Sequence, residues 1–292
     1  MKNKTANLYF RERFGCKVYR IALDGGFTCP NRDGKIDTRG CIFCSGFGSG
    51  EFAGDRTRTI SEQIERGRDL VDKKMPEGER KYVAYFQAFT GTYAPLAKLK
   101  RIYEEAIRHP DIAALAIATR PDCLPDEVIG LIADLNRQKP VWVELGLQTI
   151  HEKTAAYIRR GYPLAVYDDA VERLAERGIE TVTHIILGLP FETREDMLGT
   201  VRYVGNGPIS GIKIQLLHVL SGTDLAKEYE QGKFSCLSME EYTDLVRDCI
   251  DLLPDHIVIH RMTGDGARRN LIAPLWSTDK KRVLNMLRAK LG

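Results

Sequence analysis

VWVELG at 141–146, PLAVYDDAVERLAER at 163–177 and TVTHIIL at 181–187 follow one another in the chain, and their succession decides the fold. The first and third segments are short and rich in Val, Ile and Leu, as strands covered on both faces are. The middle segment repeats its apolar residues with a helical period. Strand, helix and strand at this spacing imply two parallel strands joined by a right-handed crossover.

The alternation extends both ways. Candidate strands are Lys17–Ala22, Tyr82–Phe86, Ala113–Ala118, Val141–Gly146, Thr181–Leu187, Gly211–Leu217 and Ile257–Arg261. Helical patterns lie between them at about 59–74, 95–108, 125–137, 163–177, 192–204 and 238–253. Ser61, Pro125-Asp126 and Thr193 with Asp196 mark three helix starts. WSTDKKRVLNMLRAKLG, 276–292, reads as a final basic amphipathic helix. No Pro/Gly/Ser-rich linker, internal repeat or low-complexity tract interrupts the pattern. The expectation is an α/β fold, a partial (β/α)6-type TIM barrel of parallel strands with helices outside, and a doubly wound sheet is the alternative. One domain over 1–292 is expected, with basic N- and C-terminal extensions packed on or flanking the barrel. Either architecture places its chemistry at the C-terminal ends of the strands.

Composition narrows the class. A hydrophobic share of 43% with 28% charged residues is that of an ordinary globular chain. No run approaches the roughly 18 apolar residues of a membrane span, and MKNKTANLYFRERFG has no apolar core of a secretory signal. A cytoplasmic protein with reduced thiols is expected, and its seven cysteines do not read as a disulfide framework. Net charge is +3, unevenly spread: residues 1–60 carry a surplus of five positive charges, 260–292 a surplus of six, and the middle is at −8. Basic ends suggest a polyanion partner, against the plainer reading of a solvated surface.

The strongest local signal is Cys29-x11-Cys41-x2-Cys44, in DGGFTCPNRDGKIDTRGCIFCSGFGSG after the first strand. Structural zinc normally takes four protein ligands, and the next histidine and cysteine are His109 and Cys123. A redox C-x-x-C leaves Cys29 without a role. Three thiolates without a fourth suit a [4Fe–4S] cube with one open iron. Cys16, Cys123, Cys236 and Cys249 lack such spacing and read as free cysteines. GFGSGEF, 46–52, looks like a phosphate loop but lacks the Lys-Ser/Thr ending, so a loop bordering the cysteines is the better account.

With these cysteines the sequence resembles radical S-adenosylmethionine (SAM) enzymes, in the branch with a long first gap that includes the Elongator catalytic subunit and small bacterial relatives. Phe43 before the last cysteine fits. TRPD at Thr119–Asp122 looks like that branch's third-strand motif, ELGLQT at Glu144–Thr149 its fourth strand, RRGY at Arg159–Tyr162 the segment after it, and HIILGLPFETREDM at His184–Met197 its fifth-strand turn. The usual G-G-E after the second strand is replaced by YFQAFTGTYAP, Tyr85–Pro95. No acetyltransferase domain is expected after the barrel.

The resemblance implies a cluster on Cys29, Cys41 and Cys44 and SAM as cofactor. Gln87, Thr90, Arg120, Glu144, Gln148, Arg160 and His184 are then cofactor-binding candidates, weighed against an internal Glu–Arg pair and a core histidine. Gly188 and Pro190 read as turn-formers, and Arg261 as a further candidate at the barrel mouth. Reductive cleavage of SAM would generate a 5′-deoxyadenosyl radical, with electrons from a donor such as flavodoxin or ferredoxin. The resemblance also implies tRNA as partner, with remodelling of the wobble-uridine C5 side chain from carboxymethylaminomethyl toward aminomethyl. The alternatives are a radical SAM enzyme acting on a small metabolite or peptide, and a noncatalytic metal-binding module that recognises nucleic acid.

Overall fold

In the computed structural model, residues 2–48, 50–74, 78–264 and 268–292 are described. All seven expected strands form: β1 Lys17–Leu23, β2 Arg80–Phe86, β3 Ile112–Thr119, β4 Val141–Gln148, β5 Glu180–Leu187, β6 Gly211–Leu216 and, after a short β7 (Val219–Leu220), β8 Val258–Arg261. They pair in the order β1-β2-β3-β4-β5-β6-β8, every neighbour parallel. The sheet curls into a half-barrel, a partial TIM barrel. Around it pack α2 Ile60–Asp72, α3 Leu96–Arg108, α4 Asp126–Asn136, α6 Leu164–Glu176, α7 Arg194–Gly205 and α9 Met239–Leu252, with the short α5 Glu152–Tyr157 and α8 Asp224–Glu230 in loops. The basic segment near the end of the chain is helix α10, Lys280–Leu291, packed on α9.

Helix starts follow the sequence with one correction. Thr193 and Asp196 form the expected capping box of α7. α2 instead starts from Thr59, whose hydroxyl accepts from the Glu62 amide while Glu62 returns to the Thr59 amide. Ser61 lies inside the helix and bonds Glu105 through its amide (2.9 Å) and hydroxyl (3.1 Å). α4 starts at Asp126 after Pro125, as expected, and just ahead of it the Arg120 guanidinium donates to both Asp122 oxygens, at 2.9 and 2.7 Å.

Besides the short α5 and α8, two features were absent from the sequence reading. β7 pairs antiparallel with β9, Leu271–Ala273. Helix α1, Ala6–Phe14, starts at Thr5, ends at Gly15 with a left-handed φ of 77°, and packs against β1 and β8. Ala114, Ala116 and Ala118 alternate along β3 and leave interior volume. Phe10 of α1 fills one end of it, stacked on Trp142 at 5.2 Å and edge-on to His260 at 5.7 Å. The Ile259 amide donates to the Lys4 carbonyl (2.9 Å), so the segment before α1 is tied to the last sheet strand.

Candidate cluster and cofactor site

The cysteine loop leaves β1 and is held by its own polar groups. The Asn31 amide donates to the Arg159 carbonyl (2.7 Å), and Arg32 reaches the carbonyls of Cys44 (2.9 Å) and Ser45 (2.6 Å). Gly40, at φ 77°, donates to Asn31 O (2.7 Å), and a Cβ there would meet the Arg32 guanidinium at 3.0 Å. Cys44 N closes a turn onto Cys41 O (3.0 Å). In the 46–52 segment, Ser49 lies outside the described residues.

All ten candidate residues line one cavity of about 590 Å³ at the C-terminal ends of the strands: Cys29, Cys41, Cys44, Gln87, Thr90, Arg120, Glu144, Gln148, Arg160 and His184. That volume lies within the range of small-molecule sites. Burial pushes the Cys41 thiol up to about 12, with Cys44 adding to the rise and Arg120 opposing it. Burial likewise raises Cys44, against the pull of Arg32. Thiols of this kind lose their protons when a metal binds them. Among the described residues no three His, Cys, Asp or Glu side chains converge closely enough for a single ion. Three cysteine thiols on the wall of one cavity, Cys29, Cys41 and Cys44, are the donor set that a cubane cluster with one open iron takes, so the residues present fit a cluster.

The remaining candidates differ in what already holds them. Thr90 is buried, its amide on Thr28 O (3.2 Å), and Gln87 is half-buried at the end of β2. Gly91 beside them must be glycine, because a Cβ would stand 2.7 Å from the Ala118 carbonyl. Gln148 sits at a bulge with φ 67°, its amide donating to Leu147 O (2.8 Å) and Gly146 O (3.2 Å). Arg160 is spent on main-chain carbonyls, Thr149 O at 2.6 Å and Tyr162 O at 3.0 Å, and so shapes the loop after β4.

Glu144 has partners other than Arg160. Its carboxylate accepts from Lys213, from His184 Nε2 (2.9 Å) and from Trp142 Nε1 (3.2 Å), with Arg20 at 3.4 Å. Lys213 also donates to Tyr85 Oη (3.0 Å), and Arg20 to His260 Nδ1 (2.8 Å). Burial opposes charge on Glu144, but Lys213 and Arg20 outweigh it and hold the carboxyl well below its ordinary range. Sequence reasoning missed Lys213, Arg20, Tyr85 and His260. The available signal was a lysine inside GIKIQL, a strand otherwise apolar enough to be covered on both faces.

Burial and Lys213 lower His184 to about 4, and burial with Arg20 holds His260 well below its usual value. Unfolded, both rings take up a proton near pH 6.5. Their contribution to stability is therefore complete above about pH 6.5 and is lost as the pH falls toward 4, where the unfolded state binds more protons. Each ring costs up to about 1.4 kcal/mol per pH unit in that window. Urea unfolding is expected to show stability declining from about pH 6.5 to 4.5, with a shallower slope in His184→Gln; a flat wild-type profile would contradict this.

Comparison with known proteins agrees with the site. Residues 38–204 match the model described as "Radical SAM superfamily", and 209–292 the "Radical_SAM C-terminal domain". The chain is 46% identical to uncharacterized protein YtqA of Bacillus subtilis, covering 98% of this chain and 88% of that one. It is 37% identical to protein YhcC of Escherichia coli K12, over 92% and 85%. A tRNA uridine(34) acetyltransferase of Dehalococcoides mccartyi is 26% identical over 62% of this chain and 39% of its own. Among solved structures, the archaeal Elp3 of Methanocaldococcus infernus superposes with a TM-score of 0.66 at 16% identity, covering 94% of this chain and 63% of that one. A family match through most of the chain, on a half-barrel that gathers three cysteines beside its strand ends, leads to one conclusion: the chain belongs to the radical SAM superfamily, whose members use a [4Fe–4S] cluster and SAM.

Proposed function

We propose that this chain modifies the C5 side chain of the tRNA wobble uridine, converting a carboxymethylaminomethyl group to aminomethyl: SAM would serve as the net two-electron oxidant of the N–CH2 unit, and water would then release the two-carbon fragment as glyoxylate. The observation that carries the reading is the rim of the cavity: Arg32, Arg261, Arg268 and Lys280 line it, and basic helix α10 begins at its edge. A phosphate backbone is the partner such a rim favours. The match to a tRNA uridine(34) acetyltransferase supports the same substrate class.

Cys29, Cys41 and Cys44 would hold the cluster, with Gln87, Thr90, Gln148 and Arg120 the candidates around SAM. Cluster and SAM together supply a carbon-centred oxidant when an electron donor such as flavodoxin or ferredoxin reduces the cluster. The chain's own contribution is position and dryness. Asp122 locks Arg120 in a two-point pair, and Phe43, Phe89, Ile186 and Leu217 add apolar surface to the cavity lining.

Anaerobically reconstituted protein with dithionite is expected to release 5′-deoxyadenosine faster when tRNA bearing carboxymethylaminomethyluridine is added, and mass spectrometry of the digested tRNA should show the aminomethyl nucleoside. SAM cleavage indifferent to any tRNA would overturn the reading in favour of a small metabolite or peptide.

A further inference from the structure

Inside the barrel one buried carboxylate, Glu144, stands among several basic side chains. Glu144 is shared by two cations, Lys213 and Arg20, and Arg261 of β8 adds its charge to the same space. His184 and His260 are held neutral among them and offset nothing. Such a field at the wall of a cavity favours an anionic guest.

Lys213 is placed to meet that guest. It is 1% exposed, yet it lines the cavity. Burial, with Arg20 and Arg261 nearby, pulls Lys213 below the ordinary lysine range and the Glu144 carboxylate opposes this; as the ion-pair partner of that carboxylate it is an ammonium, with three donors. Tyr85 Oη and Glu144 take two, which leaves one on a group bordering the empty space. Beside it, Gln215 and Arg261 line the same wall, with Gln215 bonded to His184 Nδ1 at 3.4 Å. The cysteines enter from the loop after β1, whereas Lys213 comes from β6 and Arg261 from β8, so these cations sit on other strands than the cluster loop.

We propose that Lys213, with Arg261 and Gln215, binds a carboxylate of the substrate and selects for it. The chemical class follows from the charge; its identity as the carboxylate of the carboxymethylaminomethyl group rests on the proposed function. A buried donor built for a charged acceptor discriminates against analogues lacking it, because the donor is then left without its partner.

The test compares the nucleosides carboxymethylaminomethyluridine and aminomethyluridine, bound to the reconstituted protein and followed by isothermal titration calorimetry, so that it does not depend on tRNA turnover. Wild type is expected to prefer the carboxylate, and Lys213→Met to lose that preference by about 10- to 100-fold, with the Kd of SAM unchanged. Because Lys213→Met strips Glu144 of a partner, the double variant Lys213→Met/Glu144→Gln is measured alongside it, with Glu144→Gln alone as reference; the readout is the ratio of the two nucleosides, which a general loss of affinity leaves alone. A ratio that survives both Lys213 variants overturns the proposal. So does weakened SAM binding with an intact ratio, which would assign Lys213 to the SAM carboxylate. Absence of tRNA-dependent turnover in wild type is a separate result that strikes the proposed function and not the carboxylate subsite.

Discussion

Protein carrying Cys29→Ala, Cys41→Ala or Cys44→Ala is expected to retain little iron after anaerobic reconstitution and to release 5′-deoxyadenosine only at the level of a blank without protein. Each thiol would hold its own iron, and two thiolates do not anchor a cube that needs three corners fixed. Loss of fold would not account for the result. The loop is tied down by groups other than sulfur: Asn31 on Arg159 O, Arg32 on Cys44 O and Ser45 O, and Gly40 on Asn31 O. Circular dichroism and the melting temperature of the apo variants should therefore stay close to wild type. Full iron content with wild-type SAM cleavage in any one variant would remove that cysteine from the cluster. Zinc retained in place of iron would revive the single-ion reading.

Glu144→Ala is expected to be the most destabilising single change in the barrel. It leaves Lys213 and Arg20 in the interior without their carboxylate, and it takes the acceptor from Trp142 Nε1 and His184 Nε2. Breaking a buried ion pair from one side costs about 3–5 kcal/mol. For a chain of this size that lowers the melting temperature by roughly 10 °C. Adding Lys213→Met should recover part of the loss, because the stranded charge goes with it. Urea unfolding at neutral pH measures both, and a cost under about 1 kcal/mol for Glu144→Ala would mean that water already reaches the cluster of charges.

These two cases show what the sequence made legible. The cysteines announced themselves through spacing, and the seven strands through apolar runs between helical patterns. Because parallel strands end their chemistry at one edge, residues as far apart as Gln87 and His184 were expected near each other, and the structure brings them to one cavity. The charge cluster was harder to see. Glu144 drew attention as a polar residue in an apolar strand, but its partners come from β1 and β6, and register across a sheet is not written in either strand alone. Helix α1 escaped because only Phe10 of its nine residues is buried, which is too little for a periodic signal. The β7–β9 pair escaped because strands of two and three residues are shorter than any alternation that could reveal them.

The contact between α1 and β8 bears on how the chain reaches this state. Lys4 and Ile259 are joined by a main-chain hydrogen bond, and Asn3 caps the carbonyls of Pro254 and Ile257. These pairings span most of the polypeptide, so the entropy of closing so large a loop is met before they contribute anything in return. The six consecutive strands from β1 to β6 assemble by neighbour-to-neighbour crossovers, whereas the seam waits for β8. During synthesis the wall carrying the cysteines is thus complete while Phe10 still lacks His260 for a neighbour, and α1 gains its contacts with the far edge of the sheet only once β8 emerges.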